Sequence, residues 1–283
     1  MIETPELLDF GSDRALRFAW FGRESYGHMA KLHLGYLQWL LDAYTAPGET
    51  VGDPMAGSGS LLIAAAQQRN VILREIEPRY LALCHRHAAR VLDRAGLFAA
   101  AIDIGQADAR ERWGWVADHL LFSPPYGCDA QRRLSRTHQT LTNRLLRLGR
   151  EKTHYSKRWE QLARAGETEP GAAGLFAFAY GSHPAQLGHL RGTAYWREME
   201  KVYVQAHAAT RPGGLMILVL KNHVRKGQIV PVVEETEQLC ARLGFRFRDR
   251  HARRVYPLSL WQRRRKERGE LVVEEEYALI FER

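Results

Sequence analysis

Cysteine is scarce in this chain of 283 residues, and the three cysteines that occur form no recognisable pattern. Cys84, Cys128 and Cys240 are widely separated, and no two of them form a Cys-x-x-Cys pair. An odd, scattered set argues against a disulfide framework and against a zinc site, so we expect a reducing compartment and no bound metal. The chain also lacks an apolar run of the roughly 18 residues that a membrane span needs. It does not open with a basic stretch followed by an apolar block, so we predict a cytoplasmic protein without a membrane partner.

Acidic residues are outnumbered by basic ones. The chain has 41 Lys and Arg against 32 Asp and Glu, a net charge of +9. Such an excess suits a polyanionic partner such as nucleic acid. The excess positive charge is concentrated in two segments, 131–165 and 246–268. Each has ten basic residues, two acids and interspersed aromatic rings. Basic residues neutralise phosphates and flat rings stack on bases, although a solvated charged face is the alternative interpretation.

Apolar runs alternate with amphipathic segments along most of the chain. Helices are predicted at 28–44, 60–69, 77–95, 194–210 and 231–245, with short apolar strands between them. This alternation predicts an α/β protein with a Rossmann-like, doubly wound, mostly parallel sheet that is covered on both faces. The stretch 128–193 is polar and basic and has no clear strand. We interpret it as a partly helical insertion within a single domain spanning 1–283.

A glycine-containing turn, DPMAGSGS at 53–60, joins a predicted strand to the helix that follows it. Glycines at such a turn let the backbone approach a ligand closely. The turn has neither a Walker lysine nor a G-x-G-x-x-G pattern, so a phosphate cradle is not favoured. Glu75 lies 16 residues after Gly59, at the end of the next strand, where an acid can accept both hydroxyls of a ribose. Asp108 ends the third strand and is a candidate partner for an adenine amino group; the alternative is that Glu75, Glu77 and Asp108 are solvated loop acids.

The second distinctive turn is Ser123-Pro124-Pro125-Tyr126, which follows the fourth predicted strand. Two consecutive prolines hold a loop stiff and extended. The Ser123 hydroxyl and the Pro124 carbonyl would then offer two adjacent acceptors for one exocyclic NH₂ group, and Tyr126 would offer a ring face to a base. Taken alone, the motif is equally consistent with an ordinary Pro-Pro turn.

Together the two turns resemble those of the S-adenosylmethionine-dependent amino methyltransferases, which methylate exocyclic nitrogens of DNA bases. The catalytic loop of that family has the form [DNS]-P-P-[YFW], and the serine form is similar to the N4-cytosine branch. The 53–60 turn resembles the family's cofactor loop, with Met55 where phenylalanine is usual. The resemblance covers most of residues 28–283. It places the cofactor loop before the catalytic loop, unlike the common circularly permuted order.

The resemblance implies a class I methyltransferase fold and direct transfer of a methyl group from S-adenosylmethionine to the N4 amino group of a flipped cytosine. Its implied catalytic residues are Ser123, Pro124, Pro125 and Tyr126. Its implied cofactor-binding residues are Lys31, Asp53, Pro54, Met55, Ala56, Gly57, Ser58, Gly59, Glu75 and Asp108. The implied partner is double-stranded DNA, with a restriction endonuclease as a candidate protein partner.

Basic residues in the two positive segments are the predicted contacts to DNA phosphates or bases. They are Arg132, Arg133, Arg136, Arg253, Arg254, Arg263, Arg264 and Arg265. Lys221 and Asn222 follow the strongest buried strand, where they either line the pocket or begin a turn. Three alternatives to the leading function stay open: methylation of adenine N6 in DNA, methylation of guanine N2 in RNA, and a nucleic-acid-binding protein that has the fold without the reaction.

Overall fold

The structure is a computed structural model that describes residues 7–22, 24–25, 31–126, 183–255 and 260–283. Three of the predicted nucleic-acid contacts, Arg132, Arg133 and Arg136, lie outside the described residues. So does 128–182, which is most of the predicted insertion. The insertion and the single-domain organisation therefore stay predictions.

Ten strands are found in the described residues. They are β1 (Leu7–Leu8), β2 (Thr50–Asp53), β3 (Asn70–Glu75), β4 (Ile102–Gln106), β5 (Ala117–Phe122), β6 (Thr210–Leu220), β7 (His223–Arg225), β8 (Gln228–Val230), β9 (Arg246–Arg254) and β10 (Glu275–Glu282). Seven α-helices accompany them. They are α1 (Arg14–Phe21), α2 (Leu34–Tyr44), α3 (Ile63–Ala66), α4 (Pro78–Ala95), α5 (Gly192–Ala209), α6 (Val232–Arg242) and α7 (Leu260–Glu267). In this part of the chain, no helix has both the length and the apolar character to cross a membrane.

Eight of the strands form one sheet in the order β1-β9-β10-β6-β5-β2-β3-β4. Five of its seven pairings are parallel, and only β10 runs antiparallel to its two neighbours. The strand order reverses between β2 and β5, the position at which doubly wound sheets bind ligands. The predicted fold class, an α/β protein with a Rossmann-like, doubly wound, mostly parallel sheet, is confirmed.

Both faces of the sheet are buried, as near-continuous apolar strands require. Along β6, Ile217 and Val219 face a core that includes residues of α1 to α4. The alternate residues Met216 and Leu218 face a second core that includes residues of α5 and α6. Successive side chains of a strand point to opposite faces of the sheet, so the apolar residues of each strand divide between the two helical layers.

One predicted helix is shorter than expected. The sequence predicts a helix over 60–69, but a 3-10 turn at Ser60–Leu62 leads into α3, which ends at Ala66. The chain must turn back to enter β3, and Gln68 adopts a left-handed φ of 66° to do so. The need to connect α3 to β3 therefore outweighs the local preference for helix after Ala66.

The carboxyl ends of the parallel strands β2, β3, β4, β5 and β6 lie at one edge of the sheet, which we call the carboxyl edge. Because β9 and β6 are both antiparallel to β10, β9 also ends there. The connection from β9 to β10, which contains α7, leaves the same edge. The glycine turn, the SPPY turn and the basic α7 segment are therefore on one side of the molecule.

Candidate functional site

A cleft of about 790 Å³ lies at the carboxyl edge and is built from several strand ends. It brings together ten of the predicted site residues: Asp53, Pro54, Met55, Ala56, Gly57, Ser58, Glu75, Asp108, Ser123 and Pro125. Nine further residues complete the lining: Leu32, Ser60, Ile76, Tyr80, Ala107, Ala109, Ala185, Gln186 and Leu187. The glycine turn and the SPPY turn, which are far apart in sequence, thus share one cavity.

The glycine turn depends on backbone conformations that favour glycine. Gly57 and Gly59 have φ values of 54° and 73°. A Cβ atom at Gly59 would lie 2.9 Å from Leu62 Cδ1 and 3.2 Å from Cys84 Sγ, so the turn packs closely against α4. Gly59 does not line the cleft. Its role here is to make the tight turn from which the 3-10 segment starts.

Helix α4 supports the glycine turn from behind. Cys84 Sγ donates to the Gly57 carbonyl at 3.3 Å, and His87 Nδ1 lies 2.7 Å from the Ser58 carbonyl. Burial lowers the pKa of His87 to about 4, so its ring is neutral at pH 7 and Nδ1 carries the proton that it donates. Both contacts fix carbonyl groups of the turn in place.

Two buried carboxyl groups form the acidic side of the cleft. Glu75 accepts from Gly57 N at 2.6 Å and from Glu77 N at 2.8 Å. Asp53 accepts from Met55 N at 2.8 Å. Burial raises the pKa of Glu75 to about 7. Burial, with a contribution from the charge of Glu75, raises the pKa of Asp53 to about 8. Glu75 and Glu77 are 5% and 3% exposed, so neither is a solvated loop acid.

This acid pair predicts an unusual dependence of stability on pH. An acid whose pKa is raised on folding binds its proton more tightly in the folded state, so its contribution is greatest at low pH and declines as pH rises through the folded pKa. The ordinary values are 4.5 and 3.8, and the folded values are about 7 and about 8. Between about pH 5 and pH 8, the free energy of unfolding should therefore fall by several kcal/mol, roughly 6 kcal/mol from the two acids together.

Urea unfolding across this pH interval measures the effect. Asp53→Asn keeps an oxygen for the Met55 N–H and should flatten the decline, because an amide does not titrate in this range. The matched control is Glu200→Gln on the exposed side of α5, which should leave the decline unchanged. A wild-type free energy of unfolding that rises from pH 5 to pH 8 would contradict the assignment.

Asp108 lines the cleft and is held by an arginine. Arg110 Nε donates to Asp108 Oδ1 at 2.9 Å, and Arg110 Nη1 donates to Glu198 Oε2 on α5 at 3.0 Å. Burial alone would raise the pKa of Asp108, but the hydrogen bonds and charge of Arg110 lower it below the ordinary value. Asp108 is therefore a carboxylate that is fixed in place, and its contact with an adenine stays a prediction.

The SPPY turn presents only part of itself to the cleft. Ser123 and Pro125 line it, whereas Pro124 and Tyr126 are buried and do not. The Tyr195 hydroxyl of α5 donates to the Pro125 carbonyl. Lys221 Nζ lies 5.9 Å from the centre of the Tyr126 ring. The Tyr126 ring thus packs beside the cleft, and its predicted stacking on a base is not tested by this arrangement.

Residues 185–187 form a further wall of the cleft. Ala185, Gln186 and Leu187 line it. His183 N donates to Glu77 Oε1 at 2.8 Å, which ties this segment to the end of β3. The two residues joined by this bond are 106 positions apart in sequence.

The N-terminal helix also contributes to the site. Arg17 is 1% exposed, pairs with Asp13 at 2.8 Å and donates to Ser60 Oγ at 3.2 Å. It also donates to the Leu32 carbonyl. Because Ser60 and Leu32 both line the cleft, Arg17 is a positioning residue that sequence reasoning missed. Lys31 precedes Leu32, burial lowers its pKa to about 8, and its predicted cofactor contact stays a prediction.

One predicted nucleic-acid contact requires correction. Arg253 is 6% exposed and pairs with Glu276 at 2.7 Å, so its guanidinium is used inside the fold and is not presented to a phosphate. By contrast, Arg254, Arg263 and Arg264 are exposed at the carboxyl edge. Arg265 is partly exposed and pairs with Glu270 at 3.2 Å.

Comparisons with known proteins give similarity of structure only. No family model matches the chain, and no curated protein matches it. TrmN from Thermus thermophilus is 17% identical over 93% of this chain and 53% of its own length, with a TM-score of 0.45, so this chain spans about half of TrmN. A SAM-dependent methyltransferase from Methanosarcina mazei is 10% identical over 86% of this chain and 96% of its own, with a TM-score of 0.48. A methyltransferase from Pyrococcus furiosus is 12% identical, covers 95% and 93%, and has a TM-score of 0.47. Values this low carry no functional argument, so function is argued from the cleft.

Proposed function

We propose that this chain is an S-adenosylmethionine-dependent methyltransferase that acts on the exocyclic N4 amino group of a cytosine flipped out of double-stranded DNA. The observation that carries this proposal is the shared cleft. Ser123 and Pro125 of the SPPY turn line the same cavity as the glycine turn and Glu75. A ligand held by the glycine turn and an amino group held at Ser123 are thereby brought into one space.

The residues of the cleft fit the proposed cofactor. The lining of the cleft combines apolar side chains with a small number of polar groups, as small-molecule sites do. Leu32, Met55 and Ile76 supply apolar contacts for a nucleoside. Each Glu75 oxygen accepts one backbone N–H and keeps a second acceptor position, which suits the two hydroxyls of a ribose. Bound S-adenosylmethionine supplies an electrophilic methyl group on a positively charged sulfur.

Ser123 and the prolines activate the amino group by holding it. An amino group on an aromatic base is a weak nucleophile because its lone pair is delocalised into the ring. We assign the Ser123 hydroxyl oxygen, which lines the cleft, as the acceptor for one of its N–H bonds, and this hydrogen bond favours a pyramidal nitrogen. Pro124 is buried and does not line the cleft, so its carbonyl stays a sequence-based prediction as the second acceptor. The amino nitrogen forms the new N–C bond as the S–C bond breaks, and it then releases one proton. Positioning and electrostatics supply the rate.

Double-stranded DNA is the proposed partner because of the charge at the carboxyl edge. Arg254 and Arg264 are exposed on the side of the sheet that carries the cleft, where the phosphates of a bound duplex would lie. A stacked cytosine cannot reach Ser123 inside this cleft, so the base must leave the duplex first.

Nucleoside analysis tests the proposal directly. The wild-type chain is expressed in a host without DNA methylation, and nucleosides from the host DNA and RNA are quantified by mass spectrometry. N4-methylcytosine in DNA is the expected product. N6-methyladenine in DNA or N2-methylguanosine in RNA would select one of the two alternative targets. Cofactor binding without any methylated nucleoside would favour the nucleic-acid-binding protein. The same host without the expressed chain serves as the control for background methylation.

Tyr195→Phe should slow methyl transfer while leaving cofactor affinity within about twofold of wild type. The substitution deletes the hydroxyl that donates to the Pro125 carbonyl and so loosens the SPPY turn. A hydrogen bond of this kind contributes about 1 kcal/mol, which corresponds to a rate reduced by about five- to tenfold if the turn loses its alignment. Single-turnover rates at saturating cofactor measure the effect.

Tyr203→Phe is the matched control, because Tyr203 is a fully buried tyrosine on the same helix that does not line the cleft. Equal losses of rate in the two variants would assign the effect to general destabilisation of α5. A wild-type rate in Tyr195→Phe would show that the turn does not depend on this bond.

A further inference from the structure

A short β-hairpin projects from the carboxyl edge next to the SPPY turn. Strands β7 and β8 pair with each other in a separate two-stranded sheet, with Val224 opposite Ile229. The two residues of the connecting turn, Lys226 and Gly227, have φ values of 51° and 78°. Positive φ at both positions is the signature of a type I′ turn, whose twist matches that of the flanking strands. The tip is therefore preorganised.

The base of the hairpin is anchored although its tip is not. A two-stranded hairpin is marginal on its own in water. Here Asn222 Oδ1 accepts from Val233 N at 2.9 Å, and Asn222 Nδ2 donates to Glu234 at 3.0 Å, which ties the base to the start of α6. Val230 packs against the second core. Asn222 does not line the cleft. Its position in the sequence allowed it either to line the pocket or to begin a turn, and in the structure it begins the hairpin.

The charge of the hairpin is of one sign. Residues 221–230 contain Lys221, Arg225 and Lys226 and no acid. The five residues of the tip, 225–229, are all exposed. In the described part of the chain, neither Arg225 nor Lys226 forms an ion pair with a carboxylate. Ile229 adds an exposed apolar side chain, at 50%. The tip therefore offers two cations and one apolar contact to something outside the described fold.

The hairpin is also adjacent to the reacting groups. It starts two residues after β6, which pairs with β5, the strand that ends in the SPPY turn. At its base, Lys221 Nζ lies 5.9 Å from the centre of the Tyr126 ring. A polyanion that brings a base to Ser123 would therefore lie close to this element.

We propose that the β7–β8 hairpin is a DNA-contacting finger that enters the major groove beside the target base. The inference rests on the proposed function and adds an element that the basic segments did not include. The major groove of B-form DNA admits a two-stranded ribbon, whereas the deep, narrow major groove of A-form RNA does not. Arg225 and Lys226 contact phosphates or guanine edges, and Ile229 contacts the groove wall.

The test compares two variants that each remove two positive charges. Arg225→Ala/Lys226→Ala alters the finger, and Arg242→Ala/Arg248→Ala alters exposed residues near the opposite edge of the sheet. Affinity for a short fluorescent DNA duplex is measured between about 50 and 200 mM salt, with a structured RNA in parallel. The finger variant should lose about tenfold or more in affinity, and its salt slope should fall by about 2. The control should keep a wild-type slope. Arg225→Lys keeps the positive charge at this position and should therefore keep the wild-type salt slope.

The outcomes separate the finger from the proposed function. Affinity for S-adenosylmethionine, measured by calorimetry, should be the same in all variants, which also shows that they fold. If the wild type methylates DNA but the finger variant and the control bind DNA with equal affinity, the proposal that the hairpin contacts DNA is wrong and the proposed function stands. If the slope changes only with RNA, the commitment to DNA is overturned. If the wild type binds neither nucleic acid, both proposals fail.

Discussion

Ser123→Ala should slow methyl transfer by about 10- to 100-fold while leaving the affinity for S-adenosylmethionine within about twofold of wild type. The hydroxyl is at the end of β5 and lines the cleft, where the proposed amino group must be held. Its loss removes one acceptor for an N–H that becomes more acidic as the N–C bond forms, so the interaction is stronger in the transition state than before it. The glycine turn and Glu75, which we assign to the cofactor, are untouched.

Single-turnover methylation of a duplex substrate at saturating cofactor measures this effect without interference from product release. Ser123→Asn provides the control, because asparagine places a carbonyl acceptor at the same position and occurs in the [DNS]-P-P-[YFW] form. It should recover part of the lost rate. If Ser123→Ala transfers methyl groups at the wild-type rate, the hydroxyl has no part in holding the amino group, and the assignment of the SPPY turn as the catalytic loop is wrong.

Local signals in the sequence were sufficient for the elements that converge on the cleft. Strand and helix alternation predicts a parallel sheet, and a parallel sheet places successive strand ends at one edge. Asp53, Glu75, Asp108 and Ser123 each follow or end a strand, so their approach to one another is a consequence of topology. For this reason the pattern of strands and turns predicts two walls of the cavity, the glycine turn and the SPPY turn.

Contacts between segments far apart in sequence were not predictable in the same way. Arg17 bonds to Ser60, and Tyr195 bonds to Pro125, across 43 and 70 residues. Neither pair has a spacing that secondary structure defines, and each depends on how helices pack against the turns. The same reason explains the error at Arg253, where composition indicates a basic patch but Glu276 on the neighbouring strand neutralises the guanidinium.

Gly57→Val should weaken S-adenosylmethionine binding by about 100-fold or more. Gly57 has a φ of 54°, donates to Glu75 at 2.6 Å and lines the cleft. An L residue in this conformation costs about 1–2 kcal/mol, and a β-branched side chain costs more. Relief of that strain rotates the peptide and takes its N–H away from Glu75, so the acid proposed to hold the ribose loses one of its two backbone donors.

A control variant must separate the loss of stability caused by backbone strain from the loss of cofactor affinity caused by a change in the cleft. Gly114→Val is the matched control, since Gly114 has a φ of 64° in an exposed loop and a Cβ there would have no neighbour within 4 Å. Both variants should lose stability, seen as melting temperatures lowered by a few degrees. Only Gly57→Val should lose cofactor affinity in calorimetry. If Gly57→Val binds S-adenosylmethionine as the wild type does, the glycine turn does not hold the methyl donor. Ser123 would then face a cavity without the reagent that its proposed chemistry requires.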